Sequence, residues 1–141
     1  MSDEGRSGAD RPGGREPGAD EHPGASVGLS DERLLELYRT VALARALDQR
    51  LWILNRSGRA AFVISGQGHE GAQAGIVAAL RPGHDWMLPF YRSLAAVLAF
   101  GMTPREVMLH QFGKAADPSS GGRQMPAHYG HAGRNIFTSS S

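Results

Sequence analysis

The sequence predicts an α/β chain, mostly helical, preceded by a disordered tail. Three observations carry that prediction. Apolar residues recur at three- and four-residue spacing from Leu34 to Leu54, the period of one helix face. Short apolar runs at 60–65, 86–90 and 136–138 alternate with further helical stretches. The first 28 residues carry almost no large apolar side chains.

That tail scatters its charges among Gly, Pro, Ala and Ser, and its piece Gly8–Gly13 is echoed at Gly18–Gly24. It cannot bury enough surface to offset its ordering entropy, so residues 1–28 are expected to be disordered and residues 29–141 to form the folded part. The tail holds six acids and three arginines, which leaves twelve basic and eight acidic residues in the rest. A mildly basic domain suits an anionic ligand and is too weakly charged for nucleic acid. The chain has no cysteine, which excludes disulfides, thiolate zinc sites and cysteine nucleophiles. No apolar run approaches the ~20 residues of a membrane helix, and the N-terminus has no apolar secretory core. The expectation is a cytoplasmic protein with neither membrane nor nucleic acid as partner.

Ser30 reads as a helix cap, with Asp31 and Glu32 in the first turn where they favour the helix dipole. Leu34, Leu37, Tyr38, Val41, Ala44, Leu47, Leu51 and Leu54 then mark the apolar face, while Arg39, Arg45, Asp48 and Arg50 fall between them. The helix ends near Asn55–Gly58. Residues 60–65 read as a strand or buried extended segment. A small-residue helix follows from about Ala72 to Leu80 and ends in the turn Arg81–Asp85. Residues 86–90 read as a second extended piece that delivers Tyr91 and Arg92 at its C-terminal end. A helix from Ser93 to Phe100 stops at Gly101. Thr103-Pro104-Arg105-Glu106 spells a capping box with Pro at the first helical position, and Gly113 stops the helix it opens. His110 is expected to be half-buried there.

Gly66-Gln67-Gly68-His69-Glu70-Gly71 has the spacing of a dinucleotide-binding fingerprint between an extended run and a helix. Two features count against it. A long helix precedes the run, and Asp85 comes before the next apolar run rather than after it. The simpler expectation is a tight turn. The histidines show no i, i+4 helical pair, and His128 and His131 have no clustered carboxylate beside them, which disfavours a metal site.

The stretch from Gly121 to Gly130, Gly-Gly-Arg-Gln-Met-Pro-Ala-His-Tyr-Gly, concentrates a guanidinium, an amide, an imidazole and a phenol in a loop of special backbone angles. Such loops are more often sites than spacers. Arg92 offers a fixed charge and a forked donor suited to phosphate, and Tyr91 can donate or stack.

Taken in order, Gly66–Gly71, Phe90-Tyr91-Arg92, the Thr103-Pro104 helix, Gly122–Gly130 and Phe137–Ser141 resemble the first third of the alpha subunits of thiamine-diphosphate-dependent 2-oxo acid dehydrogenases. The resemblance covers about Leu29 onward. Gly-Arg-Gln-Met-Pro-x-His-Tyr-Gly favours the branched-chain, 2-oxoisovalerate type, because pyruvate-specific relatives tend to carry a Ser-Met-His version of that loop. It implies a doubly wound thiamine-diphosphate domain in an α2β2 heterotetramer with a beta subunit. It also implies Mg2+ and K+ as further cofactors and a lipoyl acyltransferase as acyl acceptor. By position, Tyr91, Arg92 and Ser141 would contact the cofactor, and Ser140 would fall at the K+ site. His128 would have a positioning role. Phe90 stands where relatives often have Gln, and would shape an apolar substrate pocket. The Gly-Asp-Gly and Asn pair that bind Mg2+ in the family do not occur here. The chain is therefore expected to be part of a longer one and inert alone. Pyruvate dehydrogenase, a dinucleotide module through Gly66–Gly71, and a non-catalytic fragment docking through Leu34–Leu54 are the alternatives.

Overall fold

The structure is a computed structural model that describes residues 24–138. Most of the expected disordered tail, and Ser140 and Ser141, lie outside the described residues. The chain divides into two units, one ending at Leu35 and the other beginning at Glu36. In the first, Ala25–Val27 forms a 3-10 turn closed by the Val27 and Leu29 amides on the Gly24 carbonyl, at 3.2 and 3.0 Å. Ser30 then caps α1 (Asp31–Arg56) as expected, its Oγ accepting from the Arg33 amide at 3.3 Å.

In the second unit the rest of α1 is followed by α2 (Glu70–Ala78), α3 (Leu94–Ala99) and α4 (Pro104–Gln111). Ala44, Leu47, Leu51 and Leu54 are the buried apolar residues of α1. The helix buries less of its apolar face than the spacing predicts, for Tyr38 is exposed. It also buries Asp48, which the sequence places among the polar positions; Asp48 lies between Leu47 and Leu51 on the inward face. α2 packs on α3, and the core gathers Val77, the whole of Leu94–Leu98, Phe100, Val107, Tyr129 and Ile136.

The capping box of α4 is complete. Thr103 Oγ1 accepts the Glu106 amide at 3.2 Å, and the Glu106 carboxylate accepts the Thr103 amide at 2.7 Å. Gly101 and Gly113, which close α3 and α4, both have positive φ.

No ladder forms at 60–65, where the sequence suggested a strand or extended segment. The segment bends at Ala60 and Ala61, buries only Ala60, and is tied by side chains, with Gln111 Nε2 donating to the Phe62 carbonyl and Arg92 Nη1 to the Ser65 carbonyl. The pairing found among the described residues is a parallel bridge between Met87 and Ile136 and an antiparallel one between His131 and Ile136. The Met87 amide donates to the Asn135 carbonyl at 3.0 Å and the Phe137 amide to the Met87 carbonyl at 2.9 Å. The two expected extended pieces at 86–90 and 136–138 thus meet side by side. Among the described residues no helix is long and apolar enough to cross a membrane.

Candidate functional site

Arg92 stands exposed at the end of the 86–90 segment and is held at both ends. Its guanidinium Nη1 donates to the Ser65 carbonyl at 2.8 Å, and its own carbonyl accepts from Gln73 Nε2 at 2.9 Å. The guanidinium lies 5.5 Å from the centre of the Tyr91 ring, which stacks in turn against Phe90 at 3.7 Å. Tyr91 packs its other side on the hydrophobic core, while Phe90 is exposed. No carboxylate among the described residues pairs with Arg92. The turn therefore presents an anchored, un-neutralised fork of N–H donors beside a phenol, which matches an oxyanion such as phosphate.

Behind Arg92 lies a buried polar layer. Ser65 Oγ donates to Asp48 Oδ2 at 2.6 Å and accepts from the Gln67 amide at 3.1 Å. Asp48 Oδ1 is buried with no hydrogen-bond partner among the described residues. Glu70 is buried at the start of α2. Its Oε1 accepts from Arg45 Nε at 2.6 Å and its Oε2 from the Gly68 amide at 2.7 Å. The hydrogen bond from Arg45 holds the Glu70 carboxyl below the usual carboxylate range, and burial opposes this without overcoming it.

This geometry works against a pyrophosphate at Gly66–Gly71. The Gly68 amide, which would face the anion, is occupied by the chain's own carboxylate, and that carboxylate would repel a second negative charge. The glycines have other tasks. Gly68 has φ 90° with open space around it, so the turn needs its backbone angle. Gly66 has ordinary angles, but a Cβ there would lie 2.6 Å from the Arg92 carbonyl oxygen. Gly66→Ala should cost about 1–3 kcal/mol by overpacking against backbone, and should displace the Tyr91–Arg92 turn. A variant with wild-type stability in chemical denaturation would show that the contact yields.

The loop from Gly121 to Gly130 is tied to a single carboxylate just upstream of it, Asp117. Asp117 accepts from the amides of Ser119, Ser120 and Gly122 at 3.0–3.2 Å, and from Ser120 Oγ at 3.0 Å. It also meets His110 Nδ1 at 3.2 Å, with both side chains buried. His110 is thus not the half-buried helix residue expected, because α4 turns its last face onto this carboxylate. Burial opposes ionisation of Asp117, but the donors from Ser119, His110 and Gly122 outweigh it and hold the carboxyl below its usual range. Ser120 Oγ passes the order on to the Arg123 and Gln124 amides, and Ser119 Oγ to the Gly130 amide. A D-P-S-S-G-G run of Asx and Ser turn formers was the available signal.

Within the loop His128 is buried, its Nδ1 3.3 Å from the Pro126 carbonyl oxygen. Ala127 adopts φ 71°, a left-handed angle that non-glycine residues seldom take. Tyr129 is buried against His110, ring centres 5.3 Å apart. Burial pushes its phenol pKa well up, and the Asp48 charge adds to this. Ala127 and Tyr129 belong to the hydrophobic core against which Tyr91 packs. A separate cleft of about 410 Å3 opens beside Trp86, Ser119, His131 and Phe137; none of Phe90, Tyr91, Arg92 or His128 lines it.

The sequence model of the family described as dehydrogenase E1 component matches residues 38–141. The chain belongs to the dehydrogenase E1 component family. It is 53% identical over 116 residues to the 2-oxoisovalerate dehydrogenase subunit alpha of Bacillus subtilis (strain 168), covering 82% of this chain and 35% of that protein. The mitochondrial 2-oxoisovalerate dehydrogenase subunit alpha of Mus musculus is 36% identical over 121 residues, which is 85% of this chain and 27% of the relative. The mitochondrial alpha 1 subunit from Arabidopsis thaliana is 35% identical over 115 residues, covering 82% and 24%. The chain thus spans about a third of the bacterial E1 relative and about a quarter of the mitochondrial ones. The family match covers the Arg92 turn and the Asp117-bound loop together.

Proposed function

We propose that the chain is part of the alpha subunit of a thiamine-diphosphate-dependent branched-chain 2-oxo acid dehydrogenase, and that the Tyr91–Arg92 turn meets the cofactor's diphosphate. The observation that carries this reading is the Arg92 guanidinium, anchored at 2.8 Å to Ser65 and unpaired with any carboxylate among the described residues. The relatives named 2-oxoisovalerate dehydrogenase subunit alpha support the substrate class. The parallel pairing of Met87 with Ile136 supports a doubly wound sheet, of which this would be one seam.

The residues present suit a diphosphate. They do not suit Mg2+, since the described residues include no group of three or more His, Asp or Glu placed around a common point. When bound, thiamine diphosphate would supply a carbon nucleophile and an electron sink for the chemistry of a 2-oxo acid. Arg92 binds and orients the diphosphate charge, and Tyr91 fixes the plane of the turn. Phe90 gives an apolar wall for a branched side chain. His128, buried in its loop, has a positioning role within the 121–130 segment. The expected cofactor contact at Ser141 and K+ contact at Ser140 lie outside the described residues. Assembly with a beta subunit as α2β2 and acyl transfer to a lipoyl acyltransferase complete the reading.

The test is thiamine diphosphate affinity, measured by calorimetry with Mg2+ on the full-length subunit assembled with its partner. A charge-assisted contact to phosphate predicts that Arg92→Ala weakens binding by about ten- to a hundredfold. Arg92→Lys should recover only part of this, because a point charge cannot reproduce the fork. Wild-type affinity in the alanine variant would overturn the reading.

A further inference from the structure

We propose that Gln73 is the positioning residue of the cofactor turn, setting the Arg92 backbone from α2. The inference rests on the reading of Arg92 as a diphosphate contact. Gln73 is the fourth residue of α2, and its side-chain amide makes three hydrogen bonds to backbone across 19–23 positions of sequence. Nε2 donates to the Arg92 carbonyl at 2.9 Å, and Oε1 accepts from the Ala95 and Ala96 amides at 3.0 and 3.2 Å. The amide's orientation is fixed by chemistry, since a carbonyl only accepts and two amides only donate.

The second observation concerns the start of α3. Ser93 occupies the N-cap position but makes no side-chain cap. Its Oγ turns back to accept the Phe90 amide at 3.1 Å, and its own amide donates to the Phe90 carbonyl at 2.9 Å. Gln73 therefore caps α3 from another helix, which leaves Ser93 to close the Phe90–Ser93 turn. Those α3 amides are consumed and cannot meet an anion, so the charge recognition falls to the guanidinium.

The third observation is Gly66. The Arg92 carbonyl oxygen that Gln73 holds is the same atom that a Cβ on Gly66 would approach to 2.6 Å. The oxygen is gripped from one side and crowded from the other, so the turn has one seat. Loss of the Gln73 donor lets the turn move outward and shifts the guanidinium away from its Ser65 anchor.

The experiment uses the full-length subunit assembled with its partner, with thiamine diphosphate and Mg2+ as the probe. Gln73→Met keeps the side-chain length and removes all three hydrogen bonds. Its cofactor Kd should rise about five- to tenfold, the worth of one or two ordinary hydrogen bonds. The loss should fall on the cofactor KM, with kcat at saturating cofactor reduced far less. Gln73→Glu keeps the acceptor for Ala95 and Ala96 but cannot donate to Arg92. Its thermal midpoint should stay nearer wild type while cofactor affinity still drops. In an Arg92→Ala background, Gln73→Met should cause no further loss, because the group it positions is gone. Wild-type affinity in both Gln73 variants, or a fully additive loss in that background, would overturn the positioning role. If Arg92→Ala alone leaves affinity unchanged, the diphosphate reading beneath it fails instead, so the two failures are distinguishable.

Discussion

Replacing Asp117 with alanine is expected to remove about 3–5 kcal/mol of stability, the cost of breaking a buried charged hydrogen-bond centre from one side. Its side chain is fully buried and accepts from Ser119, Ser120, Gly122 and His110. Alanine leaves those donors facing one another without an acceptor. Asparagine should cost less, about 1–3 kcal/mol, because it keeps the shape and one acceptor oxygen while turning an amide group toward N–H donors. Urea denaturation of the full-length protein would measure both. A loss below about 1 kcal/mol in the alanine variant would mean that the loop is held by something else.

The same carboxylate gives a pH dependence with a definite sign. The folded pKa of Asp117 is depressed below its unfolded value. Its contribution is therefore complete above the ordinary Asp pKa of about 3.9, and is lost as pH falls through the folded value. Acid should loosen the 121–130 loop in the wild type, and that part of the acid sensitivity should be absent in Asp117→Asn. Hydrogen exchange at the amides of Ser119, Ser120 and Gly122 reports it directly.

The helices were legible because their signals are local. The Ser30 cap, the Thr103 to Glu106 box and the stop at Gly113 each appear where the residue chemistry requires them. Tyr91 and Arg92 stand out in the sequence because a guanidinium at the end of an apolar piece suits an anion, and the structure leaves Arg92 exposed at that end, anchored to the Ser65 carbonyl. What escaped depends on partners distant in sequence. Asp48 reads as a polar punctuation of α1, and only Ser65, 17 positions away, explains its burial. Gln73 sits in a run of small residues that says nothing of its three backbone contacts, one to the Arg92 turn and two to the start of α3. His110 and Asp117 are separated by the end of α4, so no periodicity links them. The apolar run at 60–65 resembles a strand because strands and irregular connections with apolar residues share a composition; here only Ala60 is buried, and Gln111 and Arg92 supply the partners that a neighbouring strand would have supplied.

Gly122→Ala should be as damaging as loss of Asp117, and for a different reason. Gly122 has φ 79°, and a Cβ there would lie 2.5 Å from the Gly113 carbonyl carbon and overlap its oxygen. Both obstacles are backbone, and Gly113 is itself committed at φ 57° to ending α4. Left-handed geometry alone costs an alanine about 1–2 kcal/mol, and forcing the backbones apart adds about 1–3 kcal/mol more. The neighbour separates the two causes. Gly121 has φ 63°, but a Cβ there would meet only ordinary contacts, the nearest at 3.6 Å from the Ala115 carbonyl oxygen. Gly121→Ala should therefore show the conformational cost without the collision, about 1–2 kcal/mol. Chemical denaturation of the two variants side by side measures the difference. Equal losses would show that the close approach of Gly113 and Gly122 is soft, and that the loop depends on backbone angle alone. A larger loss at Gly122 would establish that α4 and the 121–130 loop are in hard contact at this point, which is how a carboxylate beyond the end of the helix can hold His128 and Tyr129 in place.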